Sequence, residues 1–144
     1  MLPKYWRLHT KQETGQTMTL NDGASIVARV SPWKFAAGVK VDGEAIVDDM
    51  GFDAGETIVN LGTSEGDVQT NTVNLFIGAT GVFTVAHDLD AAVGVVRLFL
   101  EGCDDNTNWP SDATDFVITD LIQVAVCPID NSAVDKSRAV NFVL

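Results

Sequence analysis

Apolar residues along this chain come in short runs divided by Gly, Asn, Asp and Pro, and inside most runs they alternate with polar residues. Alternation with a period of two turns one side chain toward a core and the next toward solvent, the pattern of a half-buried strand. It predicts strands over Tyr5–Leu8, Thr17–Leu20, Ser25–Val30, Lys34–Val41, Glu44–Val47, Thr57–Leu61, Thr72–Ile77, Val82–Val85, Val93–Leu100, Phe116–Val126 and Ala139–Val143. Turn chemistry falls between them. Asp42-Gly43 suits a type I′ turn, whose two central residues need positive φ. Asn21-Asp22-Gly23 and Gly78-Ala79-Thr80-Gly81 read as further hairpin turns. Pro32, Pro110 and Pro128 stand at the edges of apolar runs, where a missing N–H does least harm. Many short strands at regular spacing predict an all-β fold, an antiparallel β-sandwich, jelly-roll-like or alternatively immunoglobulin-like.

Two strands carry apolar residues on both faces. In Val93–Leu100, Val96, Leu98 and Leu100 share one face, while Val95 and Phe99 flank Arg97 on the other. In Phe116–Val126, Ile122, Val124 and Val126 alternate with Leu121, Gln123 and Ala125. A strand apolar on both faces is covered on both; the expectation is a core on one side and a partner subunit on the other. Helix signals reduce to Asp130-Asn131-Ser132, which caps a short turn running through Asp135 to Arg138 with its acids first and its bases last.

Composition strengthens the β assignment. The 144 residues, one domain's worth, include 19 Val, 7 Ile and 13 Thr against five Lys and five Glu. Net charge is -11 with nine Lys+Arg, which speaks against nucleic acid as a partner, since phosphate binding needs a basic surface. The charge is uneven. Lys4, Arg7, Lys11, Arg29, Lys34 and Lys40 crowd residues 1–40, and Arg97 is the sole base among residues 41–130. Basic and acidic faces of neighbouring copies would then match one another. No run approaches the ~20 apolar residues of a membrane helix, and MLPKYWRLHTKQ lacks the apolar core of a secretory signal. The expectation is a protein made in a cytoplasm, not secreted, with no membrane partner. Cys103 and Cys127 read as free thiols, with one bridge between them as the alternative.

Sites for chemistry are few. Gly62-Thr63-Ser64-Glu65-Gly66 matches the G-x-S-x-G nucleophile elbow, yet the polar, β-leaning stretch after it offers no helix, so Ser64 reads as a turn residue and the chain as a non-enzyme. His9 and His87 lack paired metal spacing and read as surface residues. No cofactor is expected. The one metal alternative is calcium in the loop after Cys103. Asp104, Asn106, Asn108, Asp112 and Asp115 put oxygens at positions 1, 3, 5, 9 and 12, although Trp109 stands where the calcium loop needs Gly. Trp109 and Trp33, beside Asp and Asn side chains, raise glycan stacking as an alternative function, that of a carbohydrate-binding sandwich module.

The two ends look built for contact. Residues 1–16 read as an N-terminal arm or edge segment ahead of a single domain at 17–144, with Tyr5, Trp6, Arg7 and Leu8 the residue types that dominate protein interfaces. Phe142 and Leu144 end an apolar C-terminal strand that docks in its own sheet or on a neighbour. In style, over the whole chain, this profile of an acidic Val/Thr/Gly-rich β body, a basic aromatic start and an apolar last strand resembles the small β-rich structural proteins of tailed-phage virions, such as capsid decoration and tail accessory subunits. The resemblance implies a virion protein made in the host cytoplasm, repeated in symmetric copies, with itself and other virion proteins as partners and no active site.

Overall fold

The computed structural model describes residues 1–20, 25–48, 56–87, 93–130 and 136–144, and it is an antiparallel β-sandwich. The strands are β1 (Tyr5–Glu13), β2 (Met18–Leu20), β3 (Ser25–Ala36), β4 (Val39–Asp42), β5 (Ile46–Asp48), β6 (Glu56–Ile58), β7 (Thr63–Glu65), β8 (Gln69–Thr70), β9 (Gly78–His87), β10 (Gly94–Cys103), β11 (Ile122–Ile129) and β12 (Lys136–Val143). One sheet runs β11-β10-β1-β7, with β8 also on β1; the other runs β12-β9-β3-β4, with β5 also on β3. β2 and β6 form a small separate ribbon.

Alternation sets the core. From the first sheet, Trp6 and Leu8 of β1, Val96 and Leu98 of β10, and Ala125, Cys127 and Ile129 of β11 point inward. They meet Ile26, Ala28 and Val30 of β3, Phe83 and Val85 of β9, and Phe142 of β12. Gly81 lies under the ring of Phe142, in space that a Cβ would fill, so the ring packs directly on backbone. Each such side chain removed from water contributes about 1.5–3 kcal/mol.

The structure corrects the reading of residues 1–16 as an arm or edge segment. β1 is an interior strand, paired along its whole length with β10 and on its other edge with β7 and β8. Trp6 is 3% exposed and Leu8 fully buried, because the period-two face that looked like an interface is the core face. Phe142 is likewise buried and Leu144 packs against the core. Both chain ends are thus docked within their own domain.

Several local readings shift. The expected strand Lys34–Val41 is two strands joined by a turn at Ala37-Gly38, whose φ values of 49° and 80° are those of a type I′ turn. Asp42 instead ends β4, opposite Trp33, and Gly43 follows it. Gly78-Ala79-Thr80-Gly81 is not a turn but the start of β9, and residues 72–77 are not strand. The stretch Phe116–Val126 divides into a 3-10 turn at Ile118–Asp120 and β11. The Asn21-Asp22-Gly23 turn lies outside the described residues, as do residues 131–135 of the expected helical turn; Lys136–Arg138 are strand.

Cys103 and Cys127 are both free and buried. Cys127 stands opposite Val96 on β10, about seven residues along the strand from Cys103, which separates them by roughly 23 Å at ~3.3 Å per residue. A bridge needs Cα atoms within about 7 Å, so this fold excludes one.

Because Trp6 is core and not arm, Trp6→Ala should lower the unfolding free energy by about 3–5 kcal/mol. Urea denaturation followed by tryptophan fluorescence checks this; an unchanged midpoint would return the residue to the surface.

Candidate functional site

Odd-numbered residues of β1 point away from the core, and two of them, Arg7 and His9, are buried too. Arg7 and His9 are less than a tenth exposed, and Glu101 of β10, directly across from Arg7, has no exposed side chain. Phe99 and Trp109 are buried outside the main core cluster. The cover on this outer face is the chain's own strap, residues 104–121. The sequence pattern therefore located a two-sided strand in β10, and at its Glu101 end this strap covers the second face.

A single carboxylate fastens the strap. Glu101 Oε2 accepts from Arg7 Nε at 2.7 Å and lies 2.8 Å from His9 Nε2. Its Oε1 accepts from the Ser111 backbone N–H at 2.6 Å. Arg7 extends the network: Nη2 donates to Ser111 Oγ at 2.7 Å, Nη1 pairs with Glu65 at 3.1 Å, and the guanidinium sits 4.4 Å from the centroid of the Trp109 ring. Burial alone raises the Glu101 pKa, yet the bonds from Arg7, Ser111 and His9 together outweigh it and hold the carboxyl below its usual range.

The start of the strap is a self-contained turn. Asp105 accepts from the Asn108 and Thr107 backbone N–H groups, from the Asn108 side chain and from the Cys103 thiol. The Asn108 contacts lead in holding its carboxyl well below the usual range. Of the residues in the calcium reading, Asp104, Asn106, Asn108, Asp112 and Asp115, two are engaged within the loop itself. The Asn108 amide donates to Asp105, Asp112 accepts from the Trp109 N–H, and no three acid, His or Cys groups converge on one point among the described residues. Trp109, 8% exposed beneath Arg7, has no free face for a sugar. Trp33 is half-buried, with Phe35 edge-on at 5.8 Å and Lys40 near its ring.

Beside the network, between β1, β7 and the strap, lies an open cleft of about 350 Å³ lined by His9, Thr63, Glu65, Ser111, Asp112 and Phe116. Ser64 also borders it but pairs with Thr10, a core-facing residue, so its side chain leaves the sheet on the side opposite His9. It lies within strand β7 with no helix after it, and the nucleophile-elbow geometry is not formed. His9 is buried in this network and is not the surface histidine the sequence implied. No local signal reveals it, because its partner Glu101 lies 92 residues away. The His87 side chain lies outside the described residues.

Three of the six basic residues of positions 1–40 have partners in the same molecule: Arg7 serves Glu101, Lys11 pairs with Glu13, and Lys40 pairs with Asp42 at the surface.

The network makes a signed prediction. A carboxylate whose folded pKa is depressed contributes stability above its unfolded value, and that stability is lost as pH falls through the folded pKa. Below about pH 4.3, the ordinary Glu value, the wild type should lose stability that Glu101→Gln never had, so the difference in unfolding free energy between the two should shrink with acidification. At neutral pH, Glu101→Ala should cost about 3–5 kcal/mol, because it strands Arg7 in a buried site. Equilibrium denaturation of the three proteins across pH 3–7 checks both statements, and a pH-independent difference would contradict the first.

Compared with known proteins, the chain matches no protein-family model, no curated protein and no solved structure.

Proposed function

We propose that this protein is a structural subunit, of the capsid decoration or tail accessory kind found in tailed-phage virions, that assembles with further copies of itself through the outer face of its second sheet. The observation that carries the reading is a set of exposed valines around an exposed arginine on that face. Val47, Val82 and Val143 are 57%, 36% and 67% exposed on β5, β9 and β12. Register places Val47, Arg29, Val82 and Asn141 in one row across the sheet. Two shallow depressions, about 350 and 360 Å³, share Arg29 and Val82 in their linings.

These valines are set among Arg29, Asn141, Ser31 and Thr80, a mixed surface of the kind that protein interfaces share with the rest of a protein's exterior. Arg29 stands in the middle of it and has no ion pair among the described residues. A partner surface that buried Arg29 would have to supply a carboxylate, and a chain with 20 Asp+Glu against nine Lys+Arg offers many. The resemblance in overall style to phage structural proteins supports a particle as the setting. On the first sheet the outer face around Arg7, His9 and Glu101 is already covered by the strap.

Sedimentation velocity over a wide concentration range tests the proposal. The wild type should form a defined oligomer, and Val82→Glu with Val143→Glu should weaken association by well over tenfold, about 1.4 kcal/mol per decade, while leaving the unfolding midpoint nearly unchanged. A wild type that stays monomeric at every concentration would contradict self-assembly through this face.

A further inference from the structure

The free edge of β12 goes beyond the assembly reading and rests on it for one point, that the partner is another copy of this chain. We propose that β12 pairs antiparallel with β12 of a second copy, across a two-fold axis at Val140. The contact joins the two five-stranded second sheets into one.

β12 ends the order β12-β9-β3-β4, with β9 on one side and no strand on the other among the described residues. Just past the ladder, Leu144 and Ala79 exchange both backbone bonds, at 2.8 and 3.1 Å. Bonded and non-bonded pairs alternate along an antiparallel ladder. Val143 stands opposite Thr80, and the register runs without a shift to Lys136. The residues of β12 bonded to β9 are therefore Phe142, Val140, Arg138 and Lys136. The N–H and C=O groups of Ser137, Ala139, Asn141 and Val143 point the other way, and among the described residues no backbone bond reaches them. Ala139, Asn141 and Val143 are exposed, so this row of unpaired groups meets solvent.

The other sheet edges are blunted by the devices that keep strands from pairing with strangers. β4 and β5 are four and three residues long, and β7 and β8 three and two. β11 carries Pro128 and a register shift against β10. β12 runs eight residues with neither proline nor shift. It also holds no Asp or Glu in a chain of net charge -11, so two copies meet along it without opposing carboxylates.

The spacing of the free groups fixes the register. Bonded pairs across the joint must join free-edge residues of both strands. With Val140 facing Val140 of the second copy, Ser137 meets Val143 and Ala139 meets Asn141, on each side of the axis. Every free N–H and C=O of both strands is then paired. Moving the axis to Ala139 or Asn141 carries one free residue past the end of the partner strand. Antiparallel pairing also sets Lys136 and Arg138 of the two copies at opposite ends of the joint, where a parallel pair would align like charges. A two-fold contact of this kind closes on itself as a dimer.

The test is amide exchange of the full chain, read by ¹H–¹⁵N NMR in dilute and concentrated samples whose oligomeric state is fixed by sedimentation. The amides of Ala139, Asn141 and Val143 should exchange about tenfold or more slowly in the concentrated sample. Those of Arg138, Val140 and Phe142, bonded to β9, should be protected in both. Contact through the outer face does not single out alternate residues. Ala139→Pro removes a free-edge N–H and no bond to β9; it should keep the folded spectrum and lose the concentration dependence. Val82→Glu, a change on the outer face, should retain the alternating protection, and its loss there would mean that the face and not the edge holds the copies. An oligomer whose Ala139, Asn141 and Val143 amides stay unprotected, or an Ala139→Pro protein that associates like the wild type, overturns edge pairing and leaves face-to-face assembly standing. A wild type monomeric at every concentration overturns both. Should Ala139→Pro lose its folded spectrum, the alternation in the wild-type amides decides alone.

Discussion

The carboxylate of Glu101 is the constraint on which the first sheet depends. A buried negative charge is tolerated only when donors surround it, and here the donors come from two places far apart in sequence: Arg7 and His9 on β1, and the Ser111 backbone on the strap. Meeting that one requirement pins β1 against β10, fixes the strap over their outer face, and places Trp109 on the Arg7 guanidinium. Around Arg7, His9 and Glu101 the sheet is thereby covered on both sides by its own chain. A cluster that would otherwise be a costly burial of charge becomes the fastening between a regular β scaffold and an irregular covering segment.

The second sheet has no such cover, and the asymmetry organises the molecule. Its inner face supplies half the core, including Phe83, Val85 and Phe142, while its outer face leaves valines in solvent around Arg29. The open face has area, with valines set among Arg29, Asn141 and Thr80, the mixed composition of a protein surface.

Sheet content was legible because β-branched residues alternate with polar ones wherever a strand has one face in a core, as in Val93–Leu100 and Ala139–Val143. The excess of apolar surface was legible too, though not its place. Phe99 and Val95 marked β10 as two-sided, and nothing local distinguishes a strap of the same chain from a neighbouring subunit. The N-terminal strand misled for a related reason. Trp6, Arg7 and Leu8 have the composition of an interface, but Trp6 and Leu8 face the core while Arg7 faces the network, and only the pairing with β10 separates the two directions. The hairpin at Ala37-Gly38 was hidden because Ala seldom adopts positive φ and Asp42-Gly43 offered better turn chemistry nearby. The oxygen-rich loop matched calcium spacing because an Asx-type turn built on Asp105 draws on the same residue types. The cleft was illegible as a whole, since His9, Glu65 and Ser111 meet only through long-range pairing.

The account turns on β1 being an interior strand locked from both edges and both faces. Native-state amide hydrogen exchange reads this directly, because protection reports how rarely each backbone bond opens. The account predicts that the amides of Trp6 through Gln12 exchange with the slowest group in the protein, together with those of Val96–Leu100 in β10. Exchange of the Trp6–Gln12 amides at the rate of frayed termini would contradict it and would restore these residues to a loosely held arm.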